Sequence, residues 1–186
     1  LRVKYTLFER STGRPLCVGD GESCRRVTPS GMQSLPCPAP YACALAVGGA
    51  CKPYGRLHVR IDASGKAGCE SGHEVGCDEL GSFVFRTTGF NSIRTLLARL
   101  QYFHAVSGGL LATLPLELRL PGKSTTMSHR APIYYVDLTN RAGSTLDQTI
   151  AQAKELHEAR LVAGMDQAAL DEAARLGLAR GDFEES

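Results

Sequence analysis

The stretch from Cys24 to Cys51 reads CRRVTPSGMQSLPCPAPYACALAVGGAC, and it constrains the fold more than any other part of the chain. Its four cysteines are separated by 12, 5 and 7 residues, and four prolines interrupt it. With so few bulky apolar side chains, burial of hydrocarbon cannot offset the entropy of ordering such a segment. Four thiolates converging on one Zn2+ would order it, because a structural metal contributes folding free energy directly. The spacings are longer than the close pairs of most zinc knuckles, so two disulfides or free buried cysteines are the alternatives. The chain has seven cysteines, an odd number, and it has no apolar leader and no apolar run of about 18 residues. These features favour metal over disulfides, with Cys24, Cys37, Cys43 and Cys51 as ligands, in a cytoplasmic protein without a membrane partner.

A chain of 186 residues that is 43% apolar can bury one sizeable core. Net charge is only +2, but it is unevenly placed. Residues 1–66 carry ten Lys or Arg against four acids, 67–81 none against four, 82–143 seven against two, and 144–186 four against nine. The reading is a basic α+β body over 1–143, with its zinc loop at 24–51, and an acidic helical tail over 144–186.

Residues 3–8 alternate and turn through Ser11–Arg14 into PLCVGD, which predicts a hairpin. RLHVRID at 56–62 and SFVFRTT at 82–88 alternate as half-buried strands and are expected to pair. Between them, Cys69, His73 and Cys77 recur at four-residue steps. With Cys17 they form a second candidate metal site, although five glycines in that loop speak against a helix. The preferred reading is an exposed excursion with spare or bridged cysteines.

The clearest helix covers 91–106, capped by Asn91 or Ser92, with Ile93, Leu96, Leu97, Leu100, Phe103 and His104 along its inner stripe. LPLELRLP predicts a strand with Leu114, Leu116, Leu118 and Leu120 inward, and PIYYVDL at 132–138 one more. The polar connection between them is read as a solvated loop that can touch a partner. Ser144 or Thr145 caps a helix to about Val162, Gly164 breaks it, and Asp166 caps another. In sum the expectation is about six mostly antiparallel strands, one long helix packed on the sheet, a metal loop at one edge and the helical tail.

CPAPYACALAVGGACKPYGRLHVRI, DELGSFVFRTTGFNSIRTLLARL, GGLLATLPLELRL, KSTTMSHR and PIYYVDLTNR together resemble the recombination directionality factors. These accessory proteins of phages and integrative elements turn large serine integrases from integration to excision. The resemblance runs from about Tyr5 to Phe183. It implies a further segment ahead of Leu1, so a fragment is expected, and it strengthens the assignment of Cys24, Cys37, Cys43 and Cys51. The loop holding Cys69 and Cys77 is longer than the resemblance implies, so those two inherit no role.

What the resemblance implies is action by binding a serine integrase, a population shift and not a chemical step. The zinc knot would be a rigid platform beside basic faces around Arg56, Arg60, Arg86, Arg94 and Arg99. Arg86, Arg94, Arg99, Lys123 and Arg130 are the candidate contacts to the partner or to nearby DNA. A zinc-containing basic DNA-binding module is the alternative. No nucleophile with a base, paired carboxylates or HExxH occurs, so no catalytic residue is assigned and no enzyme is expected.

Overall fold

The computed structural model describes residues 1–61, 83–124, 126, 129 and 131–180. Arg2–Phe8 (β1) and Pro15–Gly19 (β2) form the expected hairpin. The next part of the cysteine stretch is not a loop. Ser23–Thr28 (β3) and Gly31–Pro36 (β4) make a second hairpin. Gly31 closes its tight turn at φ +102, a region that L side chains rarely adopt. β3 finds its ladder partner in β2, so backbone hydrogen bonding orders residues that have little hydrocarbon to bury.

Beyond an irregular passage and short 3-10 turns over Ala44–Gly49, Cys51–Val59 (β5) returns beside β1, and Phe83–Thr87 (β6) pairs with β5 as expected. The antiparallel sheet therefore has six strands, in the order β4-β3-β2-β1-β5-β6. Its edge strand β4 belongs to the cysteine segment.

Phe90–Val106 (α1) begins without a side-chain cap. Ser92, expected to cap it, is buried and its Oγ accepts from the Val136 amide at 3.0 Å, so the hydroxyl ties α1 to a distant segment. Of the expected stripe, Ile93, Leu96 and Phe103 are buried, while Leu97 and His104 face outward. Ile93 packs on Gly55 of β5, where an added Cβ would stand 3.2 Å from its Cγ1.

Leu116–Arg119 (β7) pairs with Asp137–Asn140 (β10), and Gly122–Ser124 (β8) with Pro132–Tyr134 (β9). The single strand expected over 132–138 is thus two. The chain leaves one ladder at Tyr135, whose amide donates to the Pro121 carbonyl, and Val136 docks on Ser92 before the other ladder begins. Leu118 and Leu120, expected inward, are exposed on an outer face of these ribbons that nothing among the described residues covers.

Leu146–Val162 (α2) is capped by Thr145, one of the two caps offered by the sequence, through a capping box: Gln148 N donates to Thr145 Oγ1 and Thr145 N to Gln148 Oε1. Asp166 caps Gln167–Arg180 (α3) by accepting from Ala169 N. The core sits among α1, α2 and the β7–β10 ribbon, where Leu96, Phe103, Leu114, Leu138 and Ala153 are buried and Phe85, Leu100 and Leu146 pack against them. The sequence boundary at 143/144 falls beside the α2 cap, yet α2 shares the core of the body. α3 leaves Leu170 and Leu176 exposed. No described helix is long and apolar enough to cross a membrane.

Leu96 is 0% exposed at the centre of this core. We expect Leu96→Ala to cost about 3 kcal/mol by leaving a cavity. Leu170→Ala on α3 is expected to stay within about 0.5 kcal/mol. Urea denaturation midpoints of the two variants check both.

Candidate functional site

Residues paired in register share a face of a sheet, so the ladder alone sorts the six strands' side chains. Leu7 lies between Cys17 and Cys51, Cys17 faces Arg26, Tyr5 lies between Gly19 and Pro53, and Gly19 faces Cys24. All of these occupy one face. Toward β6 the same face carries Gly55, Leu57 and Phe85, where α1 packs. The opposite face carries Arg2, Lys4, Arg25, Lys52, Arg56 and Arg86, with Arg2, Arg56 and Arg86 opposite one another across β1, β5 and β6.

Residues 37–50 fold over the cysteine half of the first face. Cys37, Ala39, Pro40, Cys43 and Leu45 come down from this cover to meet Tyr5, Leu7, Cys17, Gly19, Arg26 and Cys51 around a cavity of about 20 Å³. That is room for one body the size of a water or an ion. Four of the described cysteines thus line one small space, and Cys24 is buried beside it. All five are free thiols. Among the described residues, no three His, Cys, Asp or Glu side chains form a metal-ligand group as they stand.

Three local features fix this layer. Gly19 is a cradle: a Cβ there would meet Cys24 Cβ and Cys37 Sγ at 2.8 Å and the Ser23 carbonyl at 2.9 Å. Cys37 N donates to the Glu22 carbonyl at 2.9 Å, and Asp20 Oδ1 accepts from Ser23 N and Glu22 N, so the β2–β3 turn anchors the start of the cover. The Lys4 ammonium beside Asp20, helped by those amides, holds its carboxyl far below the usual range. Ala39, between two prolines, is held at φ +60 while buried, a conformation costing about 1–2 kcal/mol. Such strain persists where the surroundings over-determine the backbone.

The electrostatics follow from burial and crowding. Burial, then the Cys17 thiol, pushes Cys24 up to about 11; burial, then Cys17, Cys43 and Cys37, pushes Cys51 up to about 11. Arg26 is the cation of the cluster, its guanidinium hydrogen-bonded to Cys17 and its own pKa raised by that contact. Arg26 Nε is buried with no partner. The cysteine donors around the cavity are all sulfur, with the Arg26 cation beside them.

The sequence offered Cys17, Cys69, His73 and Cys77 as a second candidate site beside the preferred reading of a plain exposed loop. Cys69, His73 and Cys77 lie outside the described residues, and the fold places Cys17 in the first cluster. Spacing could not reveal this, because Cys17 arrives through the β1–β2 hairpin. The one available signal was its position seven residues ahead of Cys24.

The candidate contacts are dispersed. Arg86 is exposed on β6, Arg94 on α1 and Lys123 on β8, while Arg130 lies outside the described residues. Arg99 is engaged: its Nε and Nη2 donate to both oxygens of Asp137, at 2.9 and 3.2 Å. Arg56 is buried, its guanidinium 5.2 Å from the centre of the Tyr54 ring. The basic face expected around all of these is thus partly structural.

Two outcomes test this geometry. Gly19→Ala drives a Cβ into neighbours that cannot retreat, and should lower stability by about 1–3 kcal/mol in urea titration. Asp137, held below the usual carboxylate range first by Arg99, contributes stability above its unfolded pKa that is lost as pH falls through its folded value. Asp137→Asn should therefore cost about 0.5–1 kcal/mol near pH 7, Arg99 being half exposed. The gap should close below about pH 4, as denaturation across pH will read.

The profile of a family described as Gp3-like, recombination directionality factor-like, matches residues 1–141. The match takes in the whole six-stranded sheet, α1 and the cysteine layer, and stops just before α2. No match was found among the curated proteins or among the solved structures. A profile match over most of the chain, on a fold of the expected α+β class, settles the family: the chain belongs to the recombination directionality factor-like family, which supports a role in the recombination of phages or integrative elements.

Proposed function

We propose that the chain is a directionality factor in the full sense: it binds a large serine integrase and shifts it from integration toward excision, without chemistry of its own. Family membership over residues 1–141 carries this reading. A binding protein can reverse the outcome of recombination only if it binds the excisive assembly more tightly than the integrative one. Turning a 1:99 preference into 99:1 takes about 5.5 kcal/mol of differential affinity.

The cysteine layer is the platform for that contact. Zn2+ held by its thiols supplies the folding free energy that its hydrocarbon does not, and fixes the cover over β1, β2 and β5. The outer side of the cover then presents Tyr41 and Val47, 92% and 78% exposed, as rigid apolar anchors. An aromatic side chain on a preorganised surface is the usual centre of a binding hot spot.

The test uses the purified chain with the integrase of its own element and DNA carrying either the integrative sites or the hybrid sites that flank an integrated element. A stable complex with integrase in the absence of DNA, and stimulated recombination of the hybrid sites, are expected. Tyr41→Ala should weaken the complex by about 10-fold with metal content and melting temperature unchanged. Binding to DNA alone, falling steeply with salt and absent for integrase, would replace this reading with the DNA-binding one.

A further inference from the structure

We propose that α3 is a self-association helix, which pairs antiparallel across a two-fold axis with α3 of a second copy of the chain. The family match ends at residue 141, so α3 takes no role from it. From Ala168 to Gly177 every residue but Ala174 is exposed. Gln167 and Ala174 are half-buried and mark the side turned to the body, where Arg160 Nη1 of α2 donates to Gln167 Oε1 at 3.2 Å. Away from that side, Ala169, Leu170, Ala173, Leu176 and Gly177 gather on one face, within about 120° of the circumference. Leu170 and Leu176 are each 48% exposed there. A helix of 14 residues is marginal in water unless such a face is covered.

Gly177 points to what covers it. A glycine inside a helix is less favourable than alanine, and here a Cβ would meet nothing within 4 Å among the described residues. The chain itself thus gives no steric reason for the missing side chain. A second helix crossing at this face does, because a small residue lets two backbones approach. With Ala173 on the two-fold axis of an antiparallel pair, Ala169 falls level with Gly177 of the second copy, and Leu170 with its Leu176. Small residues meet small, and each leucine gains an apolar neighbour.

Charge complementarity selects a second copy, and selects the antiparallel sense. Asp166, Asp171 and Glu172 come before the middle of the helix and Arg175 after it. Within one helix Arg175 Nε donates to Glu172 Oε2 at 2.7 Å, and both side chains are well exposed. In the antiparallel pair Glu172 lies about 1.5 Å along the axis from the level of Arg175 of the second copy, so the two internal pairs close into one ring of alternating charge. A parallel pair would set Glu172 beside Glu172 and align the two helix dipoles. One crossing of two short helices is small beside a standard interface, so the dimer is weak and follows concentration.

Sedimentation velocity of the full chain, from micromolar to near-millimolar concentration, tests this without integrase or DNA. The parent should pass from monomer to dimer. Leu170→Glu should weaken the dimer by at least about 10-fold with the melting temperature of the dilute protein unchanged. Gly177→Ala should also weaken it while leaving that melting temperature equal or higher, since the monomer has room for the methyl group. The decisive experiment is a charge exchange: Glu172→Arg alone and Arg175→Glu alone should each stay monomeric, and their equimolar mixture should dimerise. A parent that is monomeric throughout, a dimer indifferent to Leu170→Glu, or a mixture that stays monomeric overturns the assignment. If Leu170→Glu abolishes integrase binding by a parent that never dimerises, the face belongs to the integrase and the assignment falls while the integrase reading stands.

Discussion

The sheet has one face to bury and too little hydrocarbon to bury all of it. At the β5–β6 end, α1 lays Ile93 on Gly55 and gathers Leu96, Phe103, Leu114, Leu138 and Ala153 into the apolar core. At the β2–β3 end the buried apolar residues of this face and its cover are small: Cys17, Cys24, Ala39 and Ala46. Side chains of that size contribute little burial each, so this half depends on the cysteine layer closing over it. The close contact of Gly19 with Cys24 and Cys37, the strained backbone of Ala39 and the cavity among four thiols are local signs of that dependence.

What could be read in the sequence follows the same division. Where periodic apolar residues meet a single core, the elements were legible: β1, β2, β5 and β6 by alternation, α1 by its stripe, α2 and α3 by their caps. The β3–β4 hairpin was not, because its residues are polar and its stability comes from a ladder with β2 that sequence spacing does not encode. The passage at 132–138 read as one strand because the departure at Tyr135 and Val136 is set by Pro121 and Ser92, both distant in the chain. For the site, the sequence offered Cys24, Cys37, Cys43 and Cys51 as one set; that Cys17 lines a cavity with Cys37, Cys43 and Cys51 needed the register of three strands.

The charge pattern also changes meaning once the faces are known. Arg2, Lys4, Arg25, Lys52, Arg56 and Arg86 share the face opposite the cysteines, whereas the acidic excess lies in the tail, much of it on α2 and α3. Long cationic side chains cover that face with their stems, as Arg2, Lys4 and Arg56 do, beside the Tyr54 ring, around the buried Thr6. A basic residue here is therefore as much a part of the fold as a candidate contact. Arg99, committed to Asp137, makes the same point on α1. The cover of the cysteine layer, by contrast, exposes apolar side chains, Tyr41 and Val47 among them.

Hydrogen exchange on the full chain, with and without a strong zinc chelator, tests most directly the claim that the cysteine layer and not apolar burial holds half of the sheet. Chelation should release the amides of Ser23–Thr28 and Gly31–Pro36 while those of Phe90–Val106 stay protected. Equal protection of both regions in the two conditions would contradict the account.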